Sequence, residues 1–281
     1  MANPLKRWQV LRDARIAYVD WGENGPTILL LHGDMRTGRS WDAVARSLRA
    51  MFHVISVDAR GHGDSEWSDH GYRFDERVKD LAAFCIALGL KNIVGVGHST
   101  GGVVMALCAA QYPTIFKRLA LLEPMIVVDE KFQSAMIKRS EFSRTTWKDR
   151  EELFIFLKNH AGAGFWREYV IQDVVQHESY FRKDGLLDMK WSPNSFRETE
   201  RDGDYVDLKP IFRDLNIPIL LVRGSAEQNT FENLHYVPED MPNVSRCTIR
   251  NTGHNMYMEK PESVAQLLIK FNDSQSIPTC L

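Results

Sequence analysis

The sequence carries little that would draw it to a polyanion or a bilayer. Lys and Arg number 35 against 37 Asp and Glu, a formal net charge of -2, so no general field attracts nucleic acid or an anionic membrane surface. No run of roughly 18 apolar residues is present to span a bilayer. The opening Met-Ala-Asn-Pro-Leu-Lys-Arg-Trp also lacks the apolar core of an export signal. A cytoplasmic protein with no membrane or nucleic-acid partner is therefore expected. Cys85, Cys108, Cys247 and Cys280 show no CxxC spacing, and the first two fall on apolar helix faces, which reads as reduced core thiols. Histidines and carboxylates lack ligand spacing such as His-x-x-x-His, so no metal is expected, and nothing implies another cofactor. There is no internal repeat and no low-complexity tract. A small-molecule substrate is the expected partner, and a homodimer is left open.

What is present is a large core. The chain has 281 residues, 44% of them hydrophobic, which suits one α/β domain with an insertion. Residues 15–20 alternate as a half-buried strand, and 27–31, 54–57, 93–98, 119–122, 217–222 and 244–249 are apolar runs of strand length. Between them, Trp41, Val44, Ala45 and Leu48, then Val78, Leu81, Ala82 and Cys85, recur at helical spacing, and a last helix starts at Pro261. Buried strands alternating with helices predict a mostly parallel, doubly wound sheet. The rhythm breaks between Pro124 and about Pro210, where no buried strand is expected and aromatics such as Trp147, Trp166 and Trp191 lie among charged helical stretches. Packing of a helical subdomain accounts for most of these aromatics, and a few could roof a pocket. The tail from Asn272 is expected to fray.

Chemistry concentrates at Gly97-His98-Ser99-Thr100-Gly101-Gly102, which follows the apolar run Ile93-Val94-Gly95-Val96 and precedes a helical pattern. Gly-x-Ser-x-Gly between strand and helix places the serine at the tip of a strained turn, with glycines allowing close approach on either side. A neutral hydroxyl is a poor nucleophile near pH 7, so it needs a base and a third group to hold that base. Of nine histidines, His254 stands on a short loop between a late strand and the final helix, after Gly253. Loop ends at one edge of a parallel sheet converge.

This order of parts resembles the α/β-hydrolase superfamily over about residues 15–272. His32-Gly33, Asp58-x-Arg60-Gly61-His62-Gly63-x-Ser65, the Ser99 motif and Gly253-His254 carry the resemblance. It implies an α/β-hydrolase core over 1–124 and 211–281, with a helical cap or lid over 125–210. It makes Ser99 the nucleophile and His254 the base, and assigns the oxyanion hole to the backbone N–H groups of Asp34 and Thr100. The Asp34 carboxylate would oppose developing negative charge there unless turned away or paired. Met35, His98, Met125, Trp147, Trp166 and Trp191 are the candidates to touch substrate, with a packing role beneath the elbow also open to His98. The acid is Glu123, which ends the apolar strand 119–122, or Glu227, at the commoner superfamily position after Gly224. We favour Glu123, because a carboxylate buried there needs a partner such as an imidazole N–H. Serine at position 99 argues against epoxide hydrolases and dehalogenases, which carry Asp there. The resemblance implies a serine hydrolase cleaving an ester, lactone, amide or C–C bond of a small, partly apolar molecule through an acyl-enzyme. Cofactor-independent ring-cleaving dioxygenases share the layout, and a non-catalytic ligand-binding homologue is a third reading.

Overall fold

The computed structural model describes residues 4–130, 134, 144–198, 205–225 and 241–281. The first strands are β1 (Leu5–Val10), β2 (Arg15–Glu23), β3 (Thr27–Leu31), β4 (His53–Val57), β5 (Ile93–His98) and β6 (Phe116–Leu122). Then come the short β7 (Val127–Val128), β8 (Ser179–Phe181), β9 (Leu187–Met189) and β10 (Val206–Asp207), and finally β11 (Ile219–Gly224) and β12 (Val244–Ile249). The helices are α1 (Asp42–Leu48), α2 (Phe74–Ala87), α3 (Thr100–Gln111), α4 (Arg150–Asn159), α5 (Glu168–His177), α6 (Pro193–Glu198), α7 (Leu208–Asp214), α8 (Met256–Glu259) and α9 (Pro261–Asn272). None of the helices among the described residues is long and apolar enough to cross a membrane.

Continuous apolar runs need cover on both faces, and β3 shows how it is supplied. Side chains alternate across a strand, so Ile28 and Leu30 join one core with α1 and α9, while Leu29 and Leu31 join a second with α2, α3 and α7. The 8-stranded sheet runs β1-β2-β4-β3-β5-β6-β11-β12. Only the β1–β2 and β2–β4 pairs are antiparallel, and every neighbour pair from β4 to β12 is parallel. The carboxyl ends of β3, β5, β6 and β11 therefore open on one edge, where the loops carrying Asp34, Ser99 and Glu123 leave the sheet. Cys85 and Cys108 are buried and free, and burial pushes both thiols up, so they are inert core groups.

Two expectations need correction. The segment between β6 and β11 does contain strands: β7 pairs with β10, and β8 with β9, both antiparallel. Ribbons this short display no readable alternation. The segment's Trp147, Leu153, Leu157, Trp166, Ile171 and Val174 run into the same core as α1 and α9. The tail also does not fray to its end. The Thr248 N–H donates to the Thr279 carbonyl (2.9 Å), and the Arg250 N–H donates to that of Leu281 (2.7 Å), extending the sheet beyond β12. An edge strand offers unpaired backbone groups that a passing segment can satisfy.

Candidate active site

Ser99 lies between β5 and α3 with φ 51 and ψ -122, a conformation costing about 1–3 kcal/mol for a non-glycine residue. The turn is tight because Gly97 and Gly101 touch. A Cβ on Gly97 would sit 2.5 Å from the Gly101 carbonyl oxygen and 2.7 Å from the Gly102 Cα. Backbone cannot yield as a side-chain tip can, so Gly97→Ala should lower stability by about 2–3 kcal/mol or more. Gly89→Ala, at φ +66 with nothing within 4 Å, should cost only its backbone strain. Urea midpoints that rank the two variants the other way would contradict this account of the turn. The Ser99 N–H is anchored on the Leu122 carbonyl (3.0 Å). Its hydroxyl makes no hydrogen bond among the described residues. Thr100 opens α3, so its N–H belongs to the first turn, which no helix carbonyl satisfies.

His254 lies on the loop after β12, and three contacts position that loop. The Gly253 N–H donates to both carboxylate oxygens of Glu259 (3.1 and 3.0 Å). The His254 carbonyl accepts from His98 Nε2 (2.9 Å), which requires the proton on that nitrogen. The His98 ring packs 4.6 Å from His254 and 4.8 Å from Tyr257, which in turn stacks on Trp41 at 4.1 Å. Burial, helped by the neighbouring His254, holds His98 well below the usual imidazole range, so it is a neutral prop.

Glu123 ends β6 with φ 45 and is fully buried, at 0% exposed. Its Oε1 accepts from the Gly224 N–H (2.7 Å) at the end of β11. Its Oε2 stands 3.8 Å from His254 Nδ1, an ion-pair separation longer than a hydrogen bond. Such contacts commonly tighten only when substrate is bound. Glu227 lies outside the described residues.

The loop after β3 answers the question of the Asp34 charge. Asp34 Oδ1 accepts from Arg77 Nη1 (2.8 Å), while Arg77 also donates to the carbonyls of Tyr72 (2.7 Å) and Ser195 (3.0 Å). The carboxylate is therefore paired, and α2 is tied at once to this loop and to the segment before β11. His32 bonds the Gly33 carbonyl through Nδ1 (2.7 Å) and accepts the Ala59 N–H at Nε2 (3.0 Å), a neutral structural histidine. Arg60 forks onto Asp80 (2.7 and 2.6 Å). A hollow lined by Gly33, Asp34, Arg60, Arg77 and Asp80 lies behind the loop, and neither Ser99 nor His254 lines it.

The candidate substrate contacts divide. Met35, in the left-handed region at φ 60, stays half-buried beside Asp34, and Trp166 packs over Arg36, whose guanidinium carbon is 5.2 Å from the ring. The others have packing contacts. Met125 is buried in the α3 core, and His98 is the prop described above. Trp147 pairs with Leu187 and lies tilted against Phe156 at 5.3 Å, and Trp191 bridges to His62 and receives Arg144 at 4.0 Å. Sequence reading missed Arg36, Arg77, Tyr257 and Glu259. Only Glu259, within a turn and a half of His254, carried any local signal.

Buried titratable groups set a pH dependence of stability. Burial lowers His62 to about 4 and His32 and His98 well below their usual value. The unfolded chain takes up these protons near pH 6.5, so stability is lost as pH falls below that. Burial raises Glu178 to about 7, Asp42 to about 8 and Asp58 to about 6. The folded state keeps protons that the unfolded chain sheds near pH 4, so this contribution is lost as pH rises through 6–8. Above about pH 7.5 the histidines are neutral in both states and the carboxyls act alone. Stability should fall by on the order of 1 kcal/mol between pH 7.5 and 8.5. Denaturant titrations showing a flat or rising profile over that interval would contradict the burial of these carboxyls.

A family model described as alpha/beta hydrolase fold matches residues 26–154. The chain is 24% identical over 254 residues, covering 89% of each protein, to the 2-(acetamidomethylene)succinate hydrolase of Mesorhizobium japonicum. It is 26% identical to a monoacylglycerol lipase of Bos taurus, covering 92% of this chain and 79% of that one. The crystal structure of E-2-(acetamidomethylene)succinate hydrolase superposes with a TM-score of 0.83 at 22% identity, covering 96% of this chain and 100% of that one. At that identity the superposition is a likeness of fold.

Proposed function

The chain is an α/β-hydrolase-fold protein and an enzyme of the hydrolase class, and from that premise we propose that it cleaves an ester- or amide-type bond of a small molecule through an acyl-enzyme on Ser99. The observation that carries the reading is Glu123, wholly buried between the Gly224 N–H and His254 Nδ1. A buried carboxylate is costly unless its partners compensate it, and here one partner is the candidate base.

In this mechanism His254 Nε2 takes the Ser99 proton as Oγ attacks the acyl carbon. Glu123 keeps the proton of His254 on Nδ1 and stabilises the imidazolium that forms. The N–H groups of Thr100 and Asp34 receive the oxyanion, with Arg77 offsetting the Asp34 charge. The imidazolium then protonates the leaving group, and water, activated by the same base, releases the acid. Residues 125–210 act as a cap whose Trp166 faces the oxyanion loop. The chemistry needs no metal.

The test is an ester, lactone and amide panel run in an oxygen electrode. Product acid released with no oxygen consumed supports the reading. Oxygen uptake on phenol-like heterocycles with no hydrolysis would move the protein to ring cleavage, with His254 as base on the substrate. Neither activity, with tight ligand binding retained, would leave a binding protein.

A further inference from the structure

Among the described residues, several arginines packed inside this fold engage both ends of the guanidinium fork, whereas Arg39 and Arg49 each make no hydrogen bond from Nε and Arg36 makes none from a terminal nitrogen. Arg60 forks onto Asp80 (2.7 and 2.6 Å). Arg77 reaches Asp34 and two carbonyls. Arg144 reaches Asp188 (2.5 Å), the Trp191 carbonyl (2.6 Å) and the carbonyl of Met189. The Arg36 side chain makes one hydrogen bond among the described residues, from Nε to its neighbour Met35's carbonyl (2.9 Å). Its Nη1 is buried without a hydrogen-bond acceptor, and its ion-pair partner Glu178 stands at 3.6 Å, beyond hydrogen-bond reach. Buried guanidinium donors are rarely left in that state.

Its position gives that terminal nitrogen a meaning. Arg36 follows Asp34 by two residues, in a turn closed by its own N–H on the Gly33 carbonyl (3.4 Å). Its guanidinium lies under the Trp166 ring, at 13% side-chain exposure. Its charge is felt by His98 and Tyr257, which pack beneath His254. A planar cation with open donors, held between the oxyanion loop and the roof above it, matches a carboxylate better than it matches an apolar group. Glu178 compensates it incompletely, because burial raises that carboxyl to about 7.

We propose that Arg36 receives an anionic group of the substrate, so that the molecule cleaved at Ser99 is an ester or amide bearing a second, negatively charged group such as a carboxylate. This rests on the serine-hydrolase reading of the same site. A latch between Glu178 and the oxyanion loop, with no ligand, is the competing role for Arg36.

The experiment compares 4-nitrophenyl hydrogen succinate with its neutral methyl ester at fixed ionic strength. Wild type should favour the anionic ester in kcat/KM by about tenfold to a hundredfold, the range expected for a hydrogen bond to a buried charge. Succinate should inhibit competitively. Arg36→Gln should erase the preference and the inhibition while sparing the neutral ester, and Arg36→Lys should restore part of both. Equal loss on both esters would make Arg36 structural and overturn the proposal, as would a wild type without the preference. Removing Arg36 alone leaves the buried Glu178 without its ion-pair partner and with only the weaker influence of Arg39, so Arg36→Gln/Glu178→Gln is the second variant if the single one melts early. If wild type hydrolyses neither ester nor any member of the ester, lactone and amide panel, the hydrolase reading has failed. The anion site is then judged by thermal shift. Succinate raising the wild-type Tm where succinamide does not, with no effect on Arg36→Gln, sustains it, and no difference between the two overturns it.

Discussion

Ser99→Ala should give a folded protein whose hydrolytic rate is lower by about four to six orders of magnitude. The size follows from what is lost. Without Oγ there is no acyl-enzyme, and only the N–H groups of Thr100 and Asp34 and substrate binding remain to assist direct attack by water. The fold should hardly notice, because the hydroxyl makes no hydrogen bond among the described residues and alanine bears the strain at φ 51 as serine does. His254→Ala should fall comparably, and the double variant should be little worse than either single one, since the two act as one unit. Initial rates of all three, with thermal melts as the folding control, decide the point. Multiplying losses would show that Ser99 and His254 act independently.

Glu123→Gln should lower kcat by about three to four orders of magnitude. Glutamine can keep the Gly224 N–H bond at Oε1, so the ends of β6 and β11 stay joined. Its amide then faces His254 Nδ1 where Oε2 stood at 3.8 Å. An amide N–H donating to Nδ1 drives the imidazole proton onto Nε2, the nitrogen that must accept from Ser99. The charge that stabilises the imidazolium is lost as well. Glu227→Gln should leave the rate close to wild type. The reverse ranking would transfer the acid to the position after β11 and leave Glu123 joining two strands.

What could be read before folding was whatever depends on near neighbours. Thr27–Leu31 and Ile93–His98 declared themselves as strands buried on both faces by unbroken apolar runs, and Gly97 and Gly101 flanked the elbow at the expected spacing. Glu123 was marked by standing at the end of an apolar strand, where a bare charge is unaffordable. Pairings between distant residues carried no such mark. Asp34 and Arg77 are 43 residues apart, and nothing local told that the charge on the loop after β3 would be offset. Arg36 and Glu178 meet only because α5 is laid over the loop after β3. Met125 and Trp147, candidates for the pocket wall, are buried in the two cores, since aromatics and methionine satisfy packing first. Residues 279–281 pair with β12, whose outer edge carries no other strand among the described residues.

The account rests on Ser99 as the nucleophile, and the most direct measurement is the intact and peptide mass of the protein after treatment with a fluorophosphonate. One phosphonyl adduct per chain, on the peptide containing Ser99, is the predicted result, with labelling abolished in Ser99→Ala and slowed in His254→Ala and Glu123→Gln. An enzyme that stays fully active and unlabelled, or carries its adduct on another residue, would contradict it.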